Sequence, residues 1–167
     1  MKKILLIILM MLSLHADAQI QRRFFGFTLG VANKQQITYH FKKQNKTVSN
    51  DDGVLVVKNL KFGGQFWDEV RFAFYKNRFY EIFLVSSTSY NSKDLLDDRW
   101  DYLLNSFFEK YRNYYYPDSE EYTRYFLDGK TVLRFHYENS HGIWYQDLVY
   151  YDEKLFDASS KSDNDDL

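Results

Sequence analysis

The chain has 167 residues, of which 45% are apolar and 20% aromatic, and its formal net charge is −1. A near-neutral balance gives no electrostatic basis for binding nucleic acid or an anionic membrane surface. The chain contains no Cys, so its core must form without disulfides. A domain of ~150 residues can do this, because it buries roughly 68–70% of its unfolded surface.

Residues 1–18 have the layout of a secretory signal peptide. A basic start and an apolar run over residues 4–14 precede the small residues Ala16 and Ala18, and cleavage there leaves Gln19 as the first residue. The apolar run is shorter than the ~20 residues that a membrane-spanning helix needs. No Cys stands at the cleavage point to carry a lipoprotein anchor. We therefore expect an exported chain, located in the periplasm or outside the cell, that does not span a membrane.

Two helices are predicted in the mature chain. Asn33 is a suitable N-cap for the first, in which Ile37 and Phe41 share one stripe. The second begins at Asn91 or Ser92, with acidic residues in its first turns and basic residues near its end, as the helix macrodipole favours. Its apolar positions recur at spacings of three and four, which predicts one buried stripe containing Leu96, Trp100, Leu103, Leu104, Phe107 and Tyr111.

The remaining segments predict strands, because apolar and polar residues alternate with a period of two. Two hairpins stand out, over residues 70–86 and 133–151. One side of these strands is apolar and should face the helices: Val70, Phe72, Phe74, Leu133, Phe135 and Tyr137. The other side, here called the open face, carries Arg71, Tyr75, Arg134 and His136.

The order of elements indicates a weak internal repeat. Val70-Arg71-Phe72 aligns with Leu133-Arg134-Phe135, in repeat units of about 24–88 and 91–152. Convergence is the alternative, since alternating aromatic residues are common in strands. We predict a single α+β domain over residues 19–157, in which two similar helix-then-antiparallel-strands units form one sheet with the helices on one face. Residues 158–167 are mainly Ser, Asp and Asn, which predicts a disordered tail.

A family resemblance adds to this prediction. The segment Phe24-Phe25-Gly26-Phe27-Thr28-Leu29-Gly30, followed by Asn33-Lys34-Gln35-Gln36-Ile37, resembles the entry motif of β-lactamase-inhibitor-like and BamE-like exported domains. In that motif a Gly-x-x-x-Gly turn leads into a short helix, and three strands follow. Gly63-Gly64 before the first hairpin is similar to the same pattern, and a tandem form would account for residues 24–152. The resemblance implies a binding or assembly role on a sheet surface, and it identifies neither a partner nor functional residues.

Catalytic signatures are absent from the sequence. The mature chain has no Cys, no G-x-S-x-G elbow and no Gly-rich phosphate loop, so we expect a protein that is not an enzyme and needs no cofactor. His136, Glu138 and His141 could form a three-ligand metal site. The alternative, which we favour, is a polar hairpin with histidines that face solvent, because spacing across a strand and a turn does not define a site as HExxH on a helix does.

Two functions remain open. The first is a non-catalytic interaction module that binds an envelope or extracellular protein or peptide through the open face, with Arg71, Tyr75, Arg134 and His136 as binding residues. The second is a small-ligand or glycan-binding domain with an aromatic pocket, because Tyr111 and residues 114–116 form a tyrosine cluster and aromatic rings stack on sugars. A cavity of a few hundred Å³ lined by Tyr and Trp would favour the second function.

Overall fold

An antiparallel eight-stranded sheet forms the centre of the structure, a computed structural model that describes residues 19–89, 93–117 and 122–165. Its strands are β3 (Val48–Asp51), β4 (Val54–Phe62), β5 (Gln65–Tyr75), β6 (Arg78–Ser89), β7 (Tyr115–Tyr116), β8 (Thr123–Leu127), β9 (Thr131–Ser140) and β10 (Ile143–Asp152). A small separate hairpin pairs β1 (Arg23–Phe24) with β2 (Phe27–Thr28). The helices are α1 (Lys34–Lys43), α2 (Lys93–Tyr111) and α3 (Glu153–Asp165), and a 3-10 turn covers Arg112–Tyr114.

The strand order divides the sheet into two similar halves. It runs β3-β4-β5-β6-β10-β9-β8-β7, so the last strand of each half pairs with the last strand of the other. In each half a helix is followed by four antiparallel strands, with α1 ahead of β3 and α2 ahead of β7. The predicted α+β fold, with two helix-then-strands units in a single sheet, is therefore confirmed.

Helix α1 begins where its capping residues predict. The side chain of Asn33 accepts a hydrogen bond from the Gln36 amide at 3.0 Å, and Gln36 Oε1 accepts one from the Asn33 amide at 3.0 Å. This reciprocal pair is a capping box, which satisfies two amides that the first helical turn leaves free. Ile37 and Phe41 are buried on the side facing the sheet, as their spacing predicts.

Helix α2 packs on the same face of the sheet as α1. Its buried side chains are Leu96, Leu103, Phe107 and Tyr111. Those of Leu103, Phe107 and Tyr111 join Ile37 and Phe41 of α1 in one continuous core. Trp100 is only partly buried and stacks on Phe135, with ring centroids 4.3 Å apart. The predicted stripe is thus correct, whereas the predicted cap at Asn91 or Ser92 lies outside the described residues.

The alternation of the strands is also confirmed. Val70, Phe72, Leu133, Phe135 and Tyr137 are buried, and all but Tyr137 belong to the core cluster against which Phe74 packs from a partly buried position.

The C-terminal segment differs from the sequence-based expectation. Residues 158–165 belong to α3, where a disordered tail was predicted from residue 158. The helix is started by Asp152, whose Oδ1 accepts a hydrogen bond from the Leu155 amide at 3.0 Å. Phe156 then anchors it against Tyr151, at 4.5 Å between ring centroids. Leu155, Phe156 and Ala158 gave too weak a signal to predict a helix whose remaining residues are polar.

Helix α3 lies on the other face of the sheet. Leu148 and Tyr150 of β10 point into the core, so the alternate residue Tyr151, which α3 contacts, points away from it. The helix also packs against β5 and β6. One end of the open face is therefore covered. Within the described ranges, every helix is too short or too polar to cross a bilayer.

Candidate functional site

The open face is organised in rows that run across the strands. The central row, taken from the register of neighbouring strands, contains Val56, Arg71, Phe83, Val149, Arg134 and Tyr125. The row on one side contains Lys58, Glu69, Val85, Asp147, His136 and Thr123. The row on the other side contains Ala73, Glu81, Tyr151, Val132 and Leu127.

The two arginines occupy matching positions in the central row. Arg71 lies on β5 and Arg134 on β9. In chain order, each of these is the third of the four strands that its half contributes to the eight-stranded sheet. Phe83 and Val149 stand between them on the two strands where the halves meet. Three strand spacings separate the arginines, which is about 14 Å between backbones. The face therefore presents an apolar centre with one guanidinium on each side.

Both arginines pair with carboxylates of the same face. Arg71 Nε lies 2.5 Å from Glu69 Oε1, and Arg134 Nη2 lies 3.1 Å from Asp147 Oδ2. The Arg71 side chain keeps 46% of its surface exposed. The Arg134 Nε is buried and has no hydrogen-bond partner among the residues that the structure describes.

Two carboxyl groups of the open face, those of Glu81 and Asp147, are poorly solvated. Burial raises the pKa of Glu81, and the charge of Arg134 opposes that shift. Burial likewise raises the pKa of Asp147, against the charges of Arg134 and His136 and a hydrogen bond from Arg134. Desolvation disfavours the charged form of a carboxyl group, and the charge of Arg134 opposes that effect at both Glu81 and Asp147.

His136 lies beside Arg134 in the adjoining row. Its Nδ1 is 2.8 Å from the Thr123 hydroxyl, and its Nε2 is 3.4 Å from Glu138 Oε2. His141 is exposed in the turn after β9, with its Nδ1 3.1 Å from the Ser140 hydroxyl. In the part of the chain that the structure describes, no three His, Cys, Asp or Glu side chains cluster closely enough to hold a metal ion.

Tyr75 is not brought together with the arginines. It ends β5, four residues or about 13 Å along the strand from Arg71. The Lys76 ammonium lies 5.1 Å from the centre of its ring. Tyr75 therefore belongs to the end of the sheet rather than to the central row.

A shallow pocket of about 330 Å³ opens beside Arg71. It is lined by Asp51, Asp52, Val54, Arg71, Ala73, Glu81 and Phe83. The sequence places Phe83 and Glu81 within the predicted hairpin over residues 70–86, and its pattern identifies neither as a binding residue. The pairing of β5 with β6, and of β6 with β10, brings Phe83 and Glu81 close to the arginines. The alternation of apolar and polar residues within one strand does not predict the register of either strand pair.

Comparisons with known proteins add no relative. No family model, curated protein or solved structure matches the chain.

Proposed function

We propose that the protein is an exported, non-catalytic interaction module that binds an envelope or extracellular protein or peptide through the open face. The observation that supports this most directly is the central row, in which Phe83 and the buried Val149 lie between Arg71 and Arg134. Arginine and aromatic side chains are enriched among the residues that dominate binding energy at interfaces.

The burial of the valines on the open face supports the same proposal. Val56, Val132 and Val149 are each no more than 6% exposed. In the case of Val149, its cross-strand neighbours are Phe83 and Arg134. A partner would therefore meet mainly the larger side chains, several of them already held in place by ion pairs. Such preorganisation reduces the entropy lost on binding.

Site-specific photo-crosslinking tests the proposal. A photoreactive phenylalanine analogue placed at Phe83 is expected to crosslink one envelope or extracellular protein in intact cells. The same analogue at Tyr39, which is 70% exposed on α1, is the control and is expected to give no such product. The crosslinked protein is then purified and its affinity measured with the unlabelled chain.

Arg71→Glu is the variant that separates binding from folding. Nearly half of the Arg71 side chain is exposed, whereas loss of Arg134 would leave buried carboxylates unpaired and destabilise the fold. We expect Arg71→Glu to weaken binding of the purified partner about tenfold or more, while Arg112→Glu, on the exposed 3-10 turn, leaves it unchanged. Equal affinity of both variants, or identical crosslinks from Phe83 and Tyr39, would contradict the proposal.

A further inference from the structure

We infer that a second cavity, on the helix side of the sheet, binds a small amphipathic carboxylate. This site is independent of the proposed interaction face, since the sheet itself separates the two. It gives a specific place and ligand class to the aromatic-pocket function that the sequence left open.

The cavity lies between α2 and the sheet and has a volume of about 310 Å³. Its lining comprises Gln21, Phe62, Gly63, Trp67, Tyr102, Leu103, Ser106, Phe107, Lys110, Tyr111, Leu148 and Tyr150. That volume lies at the lower end of the range found for small-molecule sites, which suits a ligand with a short hydrocarbon chain. Apolar and aromatic linings of this size are typical of small-molecule sites.

Several polar groups of the wall are already engaged within the protein. Trp67 Nε1 donates to the Phe62 carbonyl at 3.1 Å, and Ser106 Oγ donates to the Tyr102 carbonyl at 2.8 Å. The Tyr111 hydroxyl accepts a hydrogen bond from the Gln21 amide at 3.2 Å. A sugar would bring several hydroxyl groups that need partners of their own, and unmade hydrogen bonds are costly. The wall therefore favours a hydrocarbon body over a glycan.

One charged group stands on the lining of this cavity. Among the described residues that form it, Lys110 alone carries a charge, and its ammonium lies 5.0 Å from the ring centre of Tyr111. No ion pair within the described residues involves Lys110. A cation beside an apolar cavity is complementary to a ligand with an apolar body and one anionic end. A carboxylate with a short alkyl chain meets both requirements.

Calorimetric titration with octanoate and with 1-octanol tests the inference on the full mature chain. We expect octanoate to bind with a 1:1 stoichiometry and to bind more tightly than 1-octanol, which has the same chain without the charge. Lys110→Met is expected to weaken octanoate binding about tenfold and to leave the affinity for 1-octanol unchanged. Lys110→Arg should retain most of the affinity, and Lys43→Met, which removes an exposed charge from α1, is the matched control.

A filled cavity provides the second test. Ser106→Phe is expected to abolish binding of both probes while circular dichroism shows the native spectrum. If that variant does not fold, the affinities of the Lys110 variants for octanoate and for 1-octanol still test the inference. Three results would each overturn the inference: no saturable binding of octanoate, equal binding of octanoate to Lys110→Met and to the unmodified chain, or binding of maltose in preference to octanoate.

Discussion

Arg134 shows how single residues set the electrostatics of the open face. It pairs with Asp147 at 3.1 Å, and its charge also acts on Glu81. Taking charges out of water is unfavourable, and an ion pair offsets this only when geometry and hydrogen bonding are good. At Glu81, as at Asp147, burial outweighs the charge of Arg134, so the pKa is raised, and only Asp147 also accepts a hydrogen bond from Arg134.

Glu81 should therefore make stability depend on pH. Its pKa is raised in the folded protein, so the folded state favours the protonated form, and the ionised carboxylate lowers stability as pH rises through the folded pKa. We expect Glu81→Gln to raise the thermal midpoint at pH 7, with the gain disappearing as the pH falls below the ordinary pKa of 4.5. Thermal melts from pH 4 to pH 8 measure this, with the exposed Glu138→Gln as a control. A midpoint lowered at pH 7 would show that Glu81 stabilises the fold through Arg134 instead.

Helix α2 shows how one element is positioned by aromatic contacts. Phe107 and Trp100 both meet the ring of Phe135, at 5.6 Å and 4.3 Å between centroids. At the start of the helix, Tyr137 donates a hydrogen bond to Asp97 Oδ1 at 2.7 Å, and Lys93 pairs with the same carboxylate. Burial raises the pKa of Asp97, but these hydrogen bonds and the charge of Lys93 outweigh it, so that the pKa lies below its ordinary value.

Two side-chain truncations in α2 should show that its fully buried residues stabilise the fold more than its partly buried ones. Phe107→Ala is expected to lower the free energy of unfolding by ~3–5 kcal/mol, as for a buried aromatic residue. Trp100→Ala should lower it by roughly 2–3 kcal/mol, because part of its ring stays in solvent while its stacking on Phe135 is lost. Denaturant melts provide the values, and Tyr102→Ala, at an exposed position, should change them by less than about 0.5 kcal/mol. A loss below about 1 kcal/mol for Trp100→Ala would mean that this end of α2 is not docked as described.

The start of the described chain is tied to the rest of the molecule. Ile20 is 1% exposed, and its amide donates to Asp128 Oδ2 at 2.9 Å. Arg22 reaches the end of β10, where its Nη2 lies 2.5 Å from Asp152 Oδ2. Contacts this close to Gln19 mean that a chain starting there keeps its anchoring residues.

Processing before Gln19 is the prediction at the scale of the whole chain. The signal-peptide layout predicts that the exported protein begins at Gln19, which can cyclise to pyroglutamate. The intact mass of the protein from the envelope or extracellular fraction measures this directly. A mass that retains residues 1–18 would contradict the prediction, and a start beyond Ile20 would contradict the role of Ile20 as an anchor.

The sequence by itself determined the local features of this protein. The N-cap at Asn33 follows from its residue type. The stripe of α2 and the inward side of β5 and β9 follow from spacings of three, four and two residues, which the backbone geometry of helices and strands imposes. The repeat of Val70-Arg71-Phe72 in Leu133-Arg134-Phe135 also indicated two similar halves.

Only the tertiary structure decided which side chains meet. The pairing of β6 with β10 brings Phe83 and Val149 between Arg71 and Arg134, and the docking of α2 forms one wall of the cavity beside Lys110. Helix α3 is likewise stabilised by the contact of Phe156 with Tyr151 on the sheet. These contacts join residues far apart in the chain, and they depend on register and packing between elements, for which the periodicity of a single segment carries no information.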